Sequence, residues 1–164
     1  MTDPLLGPWT GPFELPPFAL IRDEDFDPAF DTGLAEARRH IAAIAGNPAA
    51  PTFANTIEAM ELAEDLLDRV SGVFFNLASS DATPARQALE KDLAPKLAAF
   101  SSEVTMNPAL WSRIETLWQG RDGLGLSREQ VRLLELYHRM FRRAGAALPP
   151  EGRARMAAVK ERLA

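Results

Sequence analysis

The sequence predicts an all-α fold: antiparallel helical hairpins in a bundle of about six helices, behind an extended Pro-rich N-terminal arm. Three observations predict it. Alanine (27) and leucine (21) far outnumber valine plus isoleucine (10), a balance that favours helix over strand. Apolar residues recur every three or four positions between explicit start and stop signals. The first 22 residues break that pattern, with five prolines (Pro4, Pro8, Pro12, Pro16, Pro17) interleaved with Trp9, Phe13 and Phe18.

Proline fixes φ and removes a backbone donor, so residues 1–22 read as an extended arm, and the aromatics among them predict that it packs along the body. Residues 23–164 read as the helical domain. Asp27-Pro28 predicts a cap with proline at the first helical position. Phe30, Leu34, Ala37, Ile41 and Ile44 follow as its stripe, and Gly46 stops it. After a turn at Asn47 to Pro51, Asn55 with Glu58 resembles a capping box. The stripe Ile57, Met60, Ala63, Leu67, Val70, Phe74, Leu77 then predicts one uninterrupted helix of about 24 residues.

Thr83-Pro84 opens a third helix, with Leu89, Leu93, Leu97, Phe100 and Val104 inward and a kink expected at Pro95. Asn107-Pro108 caps a fourth, carrying Leu110, Ile114 and Leu117 to Gly120. Ser127 with Gln130 forms a second capping box, launching Val131, Leu134, His138 and Phe141 toward Gly145. Pro149-Pro150 starts a last helix through Met156, Val159 and Leu163. It carries no stop signal, so its stripe is expected to continue into further sequence. No repeat of fixed length is evident.

At 164 residues the chain is long enough to bury a core, and 46% hydrophobic with 25% charged residues is the composition of a soluble globular domain. No run approaches the 18 apolar residues of a membrane span, and the first residues lack the basic and apolar regions of a secretory signal. With no cysteine, disulfides and thiolate metal sites are excluded, which fits a cytoplasmic protein. The net charge of −5 is unevenly spread: residues 1–83 carry 4 basic and 14 acidic side chains, residues 84–164 carry 14 and 9. The arginines after Ser127 could form a nucleic-acid patch, but an acidic whole with no aromatic stripe beside them argues against it, and no nucleic-acid partner is expected. The two halves are instead expected to complement each other, or the basic helices to face an acidic neighbour.

Catalytic chemistry finds no support in the residues. A zinc-peptidase helix needs His-Glu-x-x-His, whereas the two histidines, His40 and His138, lie 98 positions apart. His40 reads as a helix-end cation favoured by the macrodipole, and His138 as a hydrogen-bonded core or interface residue. Glu58, Glu61, Glu64, Asp65 and Asp68 are spaced to present paired carboxylates to a metal ion or for acid–base work; a solvated helix face is the simpler reading. Ser79, Ser80, Ser101 and Ser102 lack a suitably placed histidine. Gly120, Gly123 and Gly125 lack the lysine and strand of a phosphate loop. No catalytic, cofactor-binding or metal-binding residue is therefore assigned.

In order along the chain, Asp3-Pro4-Leu5-Leu6, Leu15-Pro16-Pro17-Phe18, Ile21 to Phe30, Pro51-Thr52-Phe53-x-Asn55-Thr56, Val73 to Asp81, Ala94-Pro95-Lys96-Leu97 and Asn107 to Ile114 form a series. Together they resemble the N-terminal region of the thimet-oligopeptidase family of zinc metallopeptidases, most of all its bacterial branch of peptidyl-dipeptidases (dipeptidyl carboxypeptidases) and oligopeptidase A. The resemblance implies a deep channel between two mostly helical halves. The other half, the C-terminal catalytic domain, would hold the zinc, and this one would wall the channel and admit only short peptides. None of that family's zinc ligands or catalytic acids has a counterpart here, so the isolated chain is expected to be inactive. An apolar patch left by its separation from the catalytic half would drive dimerisation. The alternative is a stand-alone helical module that binds a peptide or protein without catalysis.

Overall fold

In a computed structural model, which describes residues 3–149, 151, 152, 155, 156 and 159, the expected all-α fold is observed. Its helices are α1 (Asp23–Ala45), α2 (Ala59–Glu61), α3 (Asp65–Ser80), α4 (Pro84–Thr105), α5 (Pro108–Gly120) and α6 (Arg128–Ala144). A π-helical turn, Ala54–Glu58, leads into α2. The described positions after Pro149 are helical; the rest of the predicted last helix lies outside the described residues.

Helix α1 begins a turn earlier than Asp27-Pro28 suggested, and Pro28 lies inside it. The Arg22 N–H donates to Asp25 Oδ2 (2.8 Å), fixing the start, and Asp23, Glu24 and Asp25 place negative charge on the first turn, where the macrodipole favours it. The extra turn carries Phe26, fully buried edge-on against Phe74 at 5.1 Å. That burial outweighs the single hydrogen bond that Pro28 cannot make.

The predicted 24-residue second helix is broken. Its stripe is kept, with Ile57, Met60, Ala63, Leu67, Val70 and Phe74 all buried, but the backbone leaves α geometry at Leu62 to Glu64 before α3 starts. The cap is also displaced: Thr52 and Asn55 exchange bonds (Asn55 N–H to Thr52 Oγ1, 3.0 Å; Thr52 N–H to Asn55 Oδ1, 2.8 Å), so the box sits three residues before Asn55-Glu58.

Helix α4 runs through Pro95 to Thr105 as one element. The caps at Asn107, whose Oδ1 accepts from Ala109 and Leu110, and at Ser127-Gln130 form as expected. Gly145 ends α6 at φ +102°, its neighbour's N–H returning to the Phe141 carbonyl in a Schellman closure. Val131, expected inward, is exposed, while Leu134, His138 and Phe141 are buried.

One apolar core joins all the helices, with α1 packed most extensively along α3. The arm takes part: Leu5 is fully buried. Arg69 donates to the carbonyls of Leu5 and Gly7, each at 2.8 Å, and lies 4.8 Å over the Trp9 ring. Beyond Trp9 the arm loosens, with Phe13 94% and Leu20 69% exposed. Among the described residues no helix is long and apolar enough to cross a membrane.

Candidate functional site

The break between α2 and α3 builds the most distinctive surface of the molecule. Where the helix is interrupted, the Ala63 carbonyl is left for another donor, and His40 Nδ1 supplies it across 3.2 Å. A carbonyl only accepts, so this nitrogen carries the proton. His40 lies more than a turn before the end of α1 and holds the break instead of serving the macrodipole.

Beside the break, helices α1, α2, α3, α4 and α6 enclose a groove of about 330 Å³. Ile41, Leu67, Phe100 and Val104 form its apolar floor, and Met60 and Met140 stand at its sides. Glu64 and Asp68 belong to its lining, as does Tyr137, whose hydroxyl donates to Glu61 Oε1. Glu61, Glu64, Asp65 and Asp68 form no ion pair among the described residues. The consequences are electrostatic. Burial, then the charge of Asp68, pushes the Glu64 carboxyl above its usual range. Burial, then Asp65 and Glu61, does the same to Asp68. The Tyr137 phenol is pushed up strongly, by burial and by its bond to Glu61.

Of the acidic series, Glu64 and Asp68 line this groove and Glu61 touches it only through Tyr137; Glu58, Glu61, Asp65 and Asp68 are exposed, as a solvated helix face would be. Among the described residues no three His, Asp or Glu side chains are placed to hold a metal ion. Ser79 and Ser80 spend their hydroxyls on the Phe75 and Asn76 carbonyls. Ser101 lines the groove, with no histidine in that lining. The glycine-rich loop is a 3-10 turn after α5, with Gly125 at φ +65°.

His138 is buried as expected, and its surroundings are specific. Its ring stacks on Trp118 (4.7 Å between centroids) and Trp111 (5.1 Å), and Nε2 lies 2.7 Å from Glu115 Oε2. Glu115 is lowered on balance: burial opposes ionisation, and bonds to Gln119 and His138 with the nearby Arg142 charge outweigh it. A cleft of about 340 Å³ lies against this sandwich, bordered also by Arg142 and Ala147.

The residues behind the sequence resemblance are architectural. Arg113, only 7% exposed, donates through Nη2 to Asn55 Oδ1 (2.7 Å), through Nη1 to the Asn47 and Ala49 carbonyls (3.0 and 3.1 Å), and through Nε to Thr56 Oγ1 (3.3 Å). The Pro-Thr-Phe-x-Asn-Thr segment is thereby pinned to α5. At the end of the second motif, the Asp81 carboxylate and carbonyl take Arg86 Nη1 at 2.9 and 2.6 Å, while Arg86 Nε reaches Asp23 at 2.7 Å. Phe74 and Phe75 pack edge-on with Phe30. Sequence reading missed Arg113, although a charged residue between Leu110 and Ile114 on the apolar stripe was a usable signal.

No family model matches the chain. Individual relatives do. It is 40% identical over 155 residues to a dipeptidyl carboxypeptidase of Salmonella typhimurium and 38% identical over 154 residues to one of Escherichia coli, each alignment covering 94% of this chain. It is 30% identical over 164 residues to oligopeptidase A of Escherichia coli, covering 99% of this chain. The chain spans only 23% of the length of these relatives. The resemblance read from the motifs is thus borne out: the chain is a relative of these bacterial peptidases over roughly that quarter of their length.

Proposed function

We propose, taking kinship to the dipeptidyl carboxypeptidases as the premise, that this chain is the N-terminal, non-catalytic part of a zinc-dependent oligopeptidase of the cytoplasm. There it walls the substrate channel, admits short unfolded peptides, and docks on a catalytic remainder that hydrolyses them. The observation that carries this reading is the mismatch of coverage: similarity runs over 94% of this chain and 23% of the relative. A helical body with a lined groove suits a wall, which contributes by positioning peptides and excluding water and bulk.

The residues present do not fit the zinc itself. His40 is engaged by the Ala63 carbonyl and His138 by Glu115, and no third donor stands near either among the described residues. Zinc would therefore belong to the remainder. The isolated chain is expected to retain no stoichiometric zinc after dialysis and to leave quenched peptides uncut; one tightly held zinc per chain would contradict this.

A chimera tests the positive part. This chain replaces the matching segment of the Salmonella typhimurium dipeptidyl carboxypeptidase, with circular dichroism confirming folding. The expected result is release of dipeptides from a short peptide together with rejection of a long unfolded polypeptide. A folded chimera that is inactive, or that cuts both equally well, overturns the proposal.

A further inference from the structure

The groove beside the helix break combines two properties that a single ligand could satisfy together. Its floor is apolar, and one wall carries carboxylates that the described residues leave without a cation. Several acids elsewhere are paired across the two halves of the chain: Lys96 with Asp27 and Asp31, Arg86 with Asp23, Arg38 with Glu103. Among the described residues no lysine or arginine lines this groove. Nor do the acids converge as a metal site would require, so a point cation is a poor match. The volume, about 330 Å³, lies at the small end of ligand pockets and suits one or two side chains, not a helix or a domain.

We propose that this groove is a subsite for an unfolded peptide, seating an aliphatic or aromatic side chain on the Leu67–Phe100 floor and a neighbouring cationic group against Glu64 and Asp68. The proposal rests on the channel-wall reading and names the peptide chemistry that the wall prefers. The two methionines at the sides supply adaptable apolar contact, which accepts side chains of differing shape. Tyr137 engages Glu61, which lies outside the groove lining, and Glu64 and Asp68 are the acids that line it. Their raised proton affinity agrees with this: each gains by the approach of a positive charge. Selectivity should come from charge, since an acidic peptide of equal hydrophobicity would meet like charge on the wall.

The test uses the 164-residue chain labelled with 13C at its methionine methyl groups. It is titrated with the amidated tetrapeptide Lys-Leu-Phe-Lys and, separately, with acetylated Glu-Leu-Phe-Glu. The expected result is saturable shifts of Met60 and Met140, no shift of Met106, and at least tenfold weaker binding of the acidic peptide. The double variant Glu64→Gln/Asp68→Asn should bind the basic peptide at least tenfold more weakly while giving an unchanged circular dichroism spectrum. Equal affinity for the two peptides, full binding by the double variant, or silence at both methionines would overturn the proposal. So would Met140 shifts that depend on protein concentration without peptide, because a second copy would then occupy the groove. A chimera that discriminates by length alongside a silent groove refutes the subsite alone; a groove that binds in a chimera that fails refutes the channel wall alone.

Discussion

Arg113 shows most plainly how single residues hold this structure. Its guanidinium is buried and meets four oxygens, none of them from a carboxylate, so its charge is solvated by fixed dipoles in place of water. Arg113→Ala is expected to cost about 2–4 kcal/mol in urea denaturation, by stranding the Asn47 and Ala49 carbonyls. Lysine cannot reproduce the fork and should recover little of the loss. Glu64 carries the opposite sign. Its carboxyl is raised in the folded state, so the folded chain holds the proton more tightly, and stability falls as pH rises from the ordinary glutamate range through the raised value. Glu64→Gln should therefore melt higher than the wild type at pH 7, with the difference fading below about pH 4. Paired thermal scans at the two pH values check it. Charge at these positions was legible from sequence, but position was not: the spacing of Glu61, Glu64 and Asp68 put them on one face, and only the break turns that face into a groove wall.

Helix starts and stops written in local chemistry, at Asn107, Ser127 and Gly145, could be read directly, because a cap depends on neighbours a few residues away. Those that failed depend on tertiary contacts. The start of α1 is set by burial of Phe26 under Phe74, which no local signal announces. The interruption before α3 hid behind a stripe that stayed periodic across it, and its stabiliser, His40, comes from another helix. The α1–α3 interface supplies an element-scale prediction. At Gly33 an added Cβ would stand 3.1 Å from the Leu67 Cα, and that backbone cannot swing aside. Gly33→Ala gains roughly 1 kcal/mol in helix propensity, yet it must force α1 from α3, so net destabilisation of about 1–2 kcal/mol is expected in the same denaturation assay. A stabilised variant would mean that the helices separate more easily than this packing implies.

For the molecule as a whole, composition foresaw the fold class and the uneven charge foresaw its use. Lysine and arginine from the second half meet aspartates of the first, tying α4 to α1 at Asp23, Asp27 and Asp31. The arm was foreseen to pack, but its division was not. Between Asp3 and Trp9 it packs on the core through Leu5, Leu6 and Trp9, and beyond that it carries exposed apolar side chains and two left-handed residues, Phe13 and Glu14. Proline content alone cannot separate these two parts. Leu5→Ala should accordingly cost about 2–4 kcal/mol, as a core position does, whereas Phe13→Ala should leave the denaturation midpoint unchanged. Equal effects would show that the arm acts as one piece.

The π-helical turn at Ala54–Glu58 has an evolutionary reading. A π turn accommodates one residue more than an α turn, so the chain behaves there as though a residue had been inserted and retained. Phe53, Thr56, Ile57 and Met60 all face inward around it, and Glu58 alone within its second half is exposed. Loss of Glu58 would tighten the turn to α geometry and leave downstream residues near their present phase. A variant lacking Glu58 is therefore expected to keep the helical content of the parent, with circular dichroism as the check, so that one residue beside the Asn-Thr motif decides the kind of turn and not the architecture.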